Sequence, residues 1–84
     1  LKLNPRLGYA WFNKGNIYYD SGDYTSALQC YSEAIRLDPM SGPAYFNRGI
    51  TYLQIGNKRQ AFSDLSKAGE LGVLPSYNLL KRMK

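Results

Sequence analysis

The sequence predicts an all-α fold, a solenoid of two helix–turn–helix units closed by a C-terminal capping helix. Three observations carry this. Shifting the chain by 34 positions lays Gly8, Ala10, Phe12, Asn13, Gly15, Tyr18, Gly22, Ala27, Ser32, Ala34 and Leu37 on Gly42, Ala44, Phe46, Asn47, Gly49, Tyr52, Gly56, Ala61, Ser66, Ala68 and Leu71, so a unit is repeated. Within each unit, apolar and small residues recur at i, i+4 and i+7, which places them on one face of an α-helix. The pairs Gly22-Asp23 and Gly56-Asn57 then combine a helix stop with a helix start.

Residues 1–7 read as the tail of a preceding repeat, because the same shift lays Leu1, Lys2, Leu3, Asn4 and Pro5 on Ile35, Arg36, Leu37, Asp38 and Pro39. Residues 8–41 form the first unit. Its first helix, residues 9–21, presents Trp11, Gly15 and Tyr18 on one face, and Gly22 supplies the left-handed residue that ends it. Asp23 is the N-cap of the second helix, residues 24–37, where Ala27, Tyr31 and Ala34 form the packing face with Leu28 and Ile35 beside them. Gly15 and Ala27 lack bulk where the two helices approach most closely, and Pro39 closes the unit because it cannot continue a helix.

Residues 42–74 repeat the plan. Pro43 suits a first helical turn, Tyr45, Gly49 and Tyr52 form the inward stripe, and Asn57 with Gln60 approximates a capping box. The second helix, residues 58–71, carries Ala61, Leu65 and Ala68 at the packing positions. No closing proline follows at the matching position, and Gly69 and Gly72 are expected to loosen the helix end. In residues 75–84, Tyr77, Leu80 and Met83 fall at i, i+3 and i+6 while Lys81, Arg82 and Lys84 are polar. This segment is expected to cap the last repeat with one apolar face, as terminal units of solenoids do; the alternative is an incomplete third repeat.

The 34-residue period and the order Trp11, Gly15, Tyr18, Ala27, Tyr31, Ala34, Pro39 resemble the tetratricopeptide (TPR) repeat. The resemblance covers nearly the whole chain. It implies a right-handed solenoid whose first helices line a concave surface that grips a peptide or a partner's helix. On the helical wheel Tyr9, Phe12, Asn16, Tyr19 and Asp20 share an arc of about 100°, apart from the packing stripe. Their counterparts in the second unit are Pro43, Phe46, Ile50, Leu53 and Gln54, with Asn13 and Asn47 at the edge of the same surface. Phe12, Tyr19, Phe46, Ile50 and Leu53 are apolar outside the packing stripe, and an exposed apolar patch marks a contact. The competing reading is that this face packs against a neighbouring repeat. Asn13 and Asn47 either bond a ligand's backbone amides or only solvate the helix surface.

One TPR subclass binds acidic carboxyl-terminal tails of heat-shock chaperones through a clamp of lysines, asparagines and an arginine on successive first helices. Asn16 and Asn47 match its asparagines, but Phe12 occupies the first lysine position and the third helix of the set is absent or is the cap. The clamp is incomplete, so that mode is not expected. Lys14 and Arg48 stand where the repeat usually has leucine, and are expected to lay their stems over apolar neighbours as interface residues.

Composition narrows the remaining classes. A chain of 84 residues is one domain near the lower size limit of a single core. With 44% hydrophobic and 20% charged residues and a mean hydropathy of −0.44, neither a disordered nor a membrane-embedded chain fits. No run approaches the roughly 18 apolar residues of a membrane span, and no signal-peptide pattern is present. A cytoplasmic location is favoured, with export open because the sequence starts at Leu1. Cys30 is the only cysteine and histidine is absent, which excludes an intramolecular disulfide and a Cys/His metal site and points to no cofactor. Cys30 is expected to be a small packing residue.

Without histidine, and with carboxylates expected singly on helix surfaces, no nucleophile, base and orienter can assemble, so the chain is not expected to be an enzyme. The net charge of +5 resides from Arg48 onward. That basic end is read first as a solvated cap and second as a region able to steer an acidic partner or a nucleic acid over long range. No RNA-binding motif accompanies it, and the tyrosines are mostly claimed by packing, so a nucleic acid is not expected. The reading is a protein-interaction module holding a peptide or helical segment in its groove. The alternative is a structural segment of a longer TPR array that packs on upstream repeats or on a second copy of itself through an open N-terminal edge, with no groove ligand, since a stable stack normally needs about three repeats.

Overall fold

Five helices follow one another: α1 (Pro5–Asp20), α2 (Tyr24–Leu37), α3 (Gly42–Gln54), α4 (Lys58–Glu70) and α5 (Pro75–Arg82). The computed structural model describes residues 3–83; Leu1 and Lys2 of the expected tail and Lys84 of the expected cap lie outside the described residues. Each boundary has a local chemical cause. Asn4 accepts the Leu7 N–H at 3.1 Å and Pro5 opens the helix, so α1 starts four residues before the expected position 9. The backbone N–H of Asn4 also donates to the Leu37 carbonyl at 2.8 Å, tying the start of α1 to the end of α2. Asp23, Ser41 and Asn57 cap α2, α3 and α4 through their side-chain oxygens.

Three helices end in the same device. At Gly22, Gly56 and Gly72 the backbone turns left-handed, with φ of 85°, 82° and 99°. The next residue's N–H then reaches back to the carbonyls of Tyr18, Tyr52 and Ala68 at 3.0, 2.9 and 2.9 Å. Gly69 and Gly72 therefore do not loosen the end of α4. Gly72 closes it, and Gly69 makes room for a ring, because a Cβ there would lie 2.8 Å from the Cζ of Tyr77 on α5.

Helices pack on their sequence neighbours, and α1 also touches α3 more thinly. Ala27, Tyr31, Ala34, Ala44, Ala61, Leu65 and Ala68 are at most 1% exposed and form the core, with Trp11, Tyr18, Tyr45 and Tyr52 half-buried around it. The close approach expected at Gly15 is present: a Cβ there would meet the Tyr31 ring at 2.7 Å, and one at Gly49 would meet Leu65 at 2.9 Å. In each unit the large residue of the second helix fills the gap left by the glycine of the first. No helix among the described residues is long and apolar enough to cross a membrane.

Candidate functional site

The first helices of the two units lie side by side and run in the same direction. Asn47 donates from Nδ2 to Asn16 Oδ1 at 2.8 Å, and Gln54 donates from Nε2 to the Tyr19 hydroxyl at 3.0 Å further along both helices. Between them opens a cleft of about 360 Å³ lined by Asn16, Tyr19, Asp20, Tyr31, Asn47 and Ile50. Tyr31 reaches its floor from α2. It is 1% exposed, and its hydroxyl donates to Asn16 Oδ1 at 2.5 Å. Burial pushes the pKa of this phenol up to about 12, and the negative charge of Asp20 adds to the effect.

Asn16 Oδ1 thus accepts from both Tyr31 and Asn47, which leaves the Asn16 amide protons and the Asn47 side-chain oxygen without a partner among the described residues. The partner of Asn47 is Asn16 and not its repeat equivalent Asn13, which is exposed and lines neither depression. Tyr24 packs tilted against the Tyr19 ring, with centroids 5.3 Å apart, and fixes one wall.

Of the expected site residues, Asn16, Tyr19, Asp20, Asn47 and Ile50 meet in this cleft, and Gln54 joins through Tyr19. Tyr9 and Phe12 instead line a smaller depression of about 170 Å³ with Gly8, Asp38 and Pro43. Tyr9 stacks on Phe12 at 6.2 Å, and Phe12 lies tilted 5.9 Å from Tyr31, so one aromatic row connects the two depressions. Phe46 and Leu53 are half-buried on α3 and line neither. The apolar face is less open than the helical wheel suggests: Phe12, Tyr19, Phe46, Ile50 and Leu53 are all half-buried, and Tyr9 alone of the aromatic set is exposed, at 65%.

Two features escaped the sequence reading. Tyr31 belongs to the packing stripe as expected, yet its hydroxyl also serves the cleft. Asp64 is not an isolated surface carboxylate: it is 3% exposed and accepts Arg48 Nε at 2.7 Å and Nη2 at 2.8 Å, while Arg48 Nη1 donates to Ser32 Oγ at 3.2 Å. The carboxylate holds the Arg48 guanidinium charged against the penalty of burial. A sequence signal for this pair existed, because Arg48 and Asp64 occupy the repeat positions of Lys14 and Cys30. In the first unit the Cys30 thiol is buried, its pKa raised by desolvation, and the Lys14 ammonium rests 5.1 Å above the Trp11 ring. No cluster of acidic or thiol side chains able to hold a metal occurs among the described residues.

Comparison with known proteins adds to this geometry. A TPR repeat family model matches residues 15–56, and a tetratricopeptide repeat model matches residues 42–71. Curated protein sequences gave no match. Among solved structures, the chain is similar to the first TPR of Spaghetti (RPAP3) bound to HSP90 peptide SRMEEVD, at 24% identity over 99% of this chain and 68% of that one, with a TM-score of 0.92. It is also similar to the second TPR of Spaghetti (RPAP3) bound to the same peptide, at 22% identity over 95% and 82% of the two chains, with a TM-score of 0.81. At these identities the likeness establishes the fold.

Proposed function

Because the chain belongs to the tetratricopeptide repeat family, we propose that it is a protein-interaction module that holds a peptide or helical segment of a partner between α1 and α3, without catalysis. The observation that carries this reading is the cleft of about 360 Å³, whose half-buried apolar walls surround two amides with unspent hydrogen-bonding groups. Apolar walls supply affinity, and a few placed polar groups fix orientation. The similar TPR structures hold a peptide, which supports this kind of ligand. Their peptide is acidic, whereas no lysine or arginine lines the present cleft.

The test is Ile50→Glu, which places a charge on the apolar wall. Peptides captured from a random array should bind the variant about tenfold more weakly or worse, the loss expected of a central contact residue. Its helical circular dichroism should stay that of the parent. Unchanged binding of every captured peptide would remove the groove from consideration.

A second reading rests on a separate observation. Ala44 and Thr51 of α3 are fully buried, but their repeat equivalents on α1, Ala10 and Ile17, are exposed, Ile17 to 69%. This outer face of α1 suits self-association of two copies. Sedimentation velocity over a range of concentrations decides the point: a dimer that grows with concentration supports it, and a monomer throughout rejects it.

A further inference from the structure

We infer that the cleft between α1 and α3 seats a cationic side chain of the bound segment, an arginine or a lysine, against Asp20. The inference rests on the groove reading above and adds the chemistry of one residue of the ligand. Three independent features of the cleft converge on it.

The first is charge. Asp20 is the only ionisable residue lining the cleft besides its two tyrosines; it is exposed, and it forms no ion pair among the described residues. The second is helix polarity. The cleft lies at the C-terminal end of α1, where the backbone dipole leaves partial negative charge, and meets α3 at mid-helix through Asn47 and Ile50. The other three helices compensate that end with a basic residue in the last turn, namely Arg36 in α2, Lys67 in α4, and Lys81 and Arg82 in α5. Neither α1 nor α3 has one, and α1 ends on Asp20 itself. The uncompensated end of α1 and its terminal carboxylate therefore face the same space.

The third feature is shape. Tyr19 and Ile50 give walls suited to the methylene stem of arginine or lysine, and the face of the Tyr19 ring attracts the charged head. The Tyr19 hydroxyl accepts from Gln54 and the Tyr31 hydroxyl donates to Asn16, which holds both side chains in place. The basic surplus of the protein lies from Arg48 onward, and no lysine or arginine lines the cleft. A protein of net charge +5 thus has a groove lined by one carboxylate and by no cation.

The experiment uses an array of random peptides about ten residues long, which at roughly 3.3 Å per residue match the 36 Å length of the molecule. Binding of the selected peptides is then measured by fluorescence anisotropy for the parent, Asp20→Asn and Asp20→Lys. The expected result is an arginine or lysine shared at one position of the selected peptides. Replacing that residue by alanine should weaken binding about fivefold, as should Asp20→Asn, and the two losses together should be less than their product. Asp20→Lys should shift the selection toward glutamate or aspartate at the same position. Selected peptides with no cationic position, peptides enriched in acids, or affinities unmoved by Asp20→Asn would each overturn the inference while leaving the groove reading intact. If no peptide binds, or if binding ignores Ile50→Glu, the groove reading falls and this inference falls with it.

Discussion

Arg48 donates two hydrogen bonds to Asp64 inside the second unit, so each satisfies the charge that burial would otherwise strand. Removing one member leaves the other partly buried and unpaired, which costs far more than the net worth of the intact pair. Asp64→Ala should lower unfolding stability by about 3 kcal/mol in urea titrations. Glu33→Gln, which breaks the exposed Glu33–Arg36 pair, should leave the midpoint unchanged. Tyr31 makes the second prediction at this scale. An unfolded tyrosine ionises near pH 10, whereas the folded phenol keeps its proton to about 12. Between these values the folded state binds more protons than the unfolded one, so stability falls as pH rises through the window. Urea titrations from pH 9 upward should show that fall, and Tyr31→Phe should flatten it. At this scale the packing residues were legible, because Gly15, Ala27 and Tyr31 announce their burial by helical spacing alone. The hydroxyl of Tyr31 and the Asn16–Asn47 contact were not, since they depend on how far one helix slides along another, which no single helix encodes.

Helix ends were legible wherever the signal was chemical and local. Gly22-Asp23 and Gly56-Asn57 act as the sequence suggests, a left-handed stop followed at once by a side-chain cap. The start of α1 shows the limit of such reading. Asn4-Pro5 matches Asp38-Pro39 under the 34-residue shift, and the second pair follows the end of α2, yet the first pair opens α1. The same proline chemistry permits both, because proline breaks a helix interior but fits a first turn. In α5 one polar group has no visible purpose. Ser76 occupies the position of Gly42, is fully buried, and its hydroxyl finds no hydrogen-bond partner. Ser76→Ala should therefore stabilise the protein by about 1 kcal/mol in thermal or urea melts, by removing an unpaired hydroxyl without opening a void.

Over the whole molecule, packing follows chain order, with α5 packed chiefly on α4 while α2, α3 and α4 each have neighbours on both sides. Stability in such stacks is close to a sum of local and nearest-neighbour contributions. Hydrogen exchange should grade accordingly, fastest through α5 and slowest in α2 and α3, and a uniform rate across all five helices would contradict this. The solenoid class was legible because it needs only the repeat and its punctuation. The cleft was legible as a face of α1 and α3, but its division into a polar depression around Asn16 and an aromatic one around Phe12 follows from Tyr31 rising between them from α2.

The thin seam between α1 and α3 has a mechanical consequence. The two units share a broad bearing surface where α2 meets α3, while across the groove they are joined by the side-chain links Asn16–Asn47 and Tyr19–Gln54. Widening the groove would have to part those two hydrogen bonds while α2 and α3 stay packed, so the curvature of the stack is fixed at the groove by two polar links and at the back by an apolar seam.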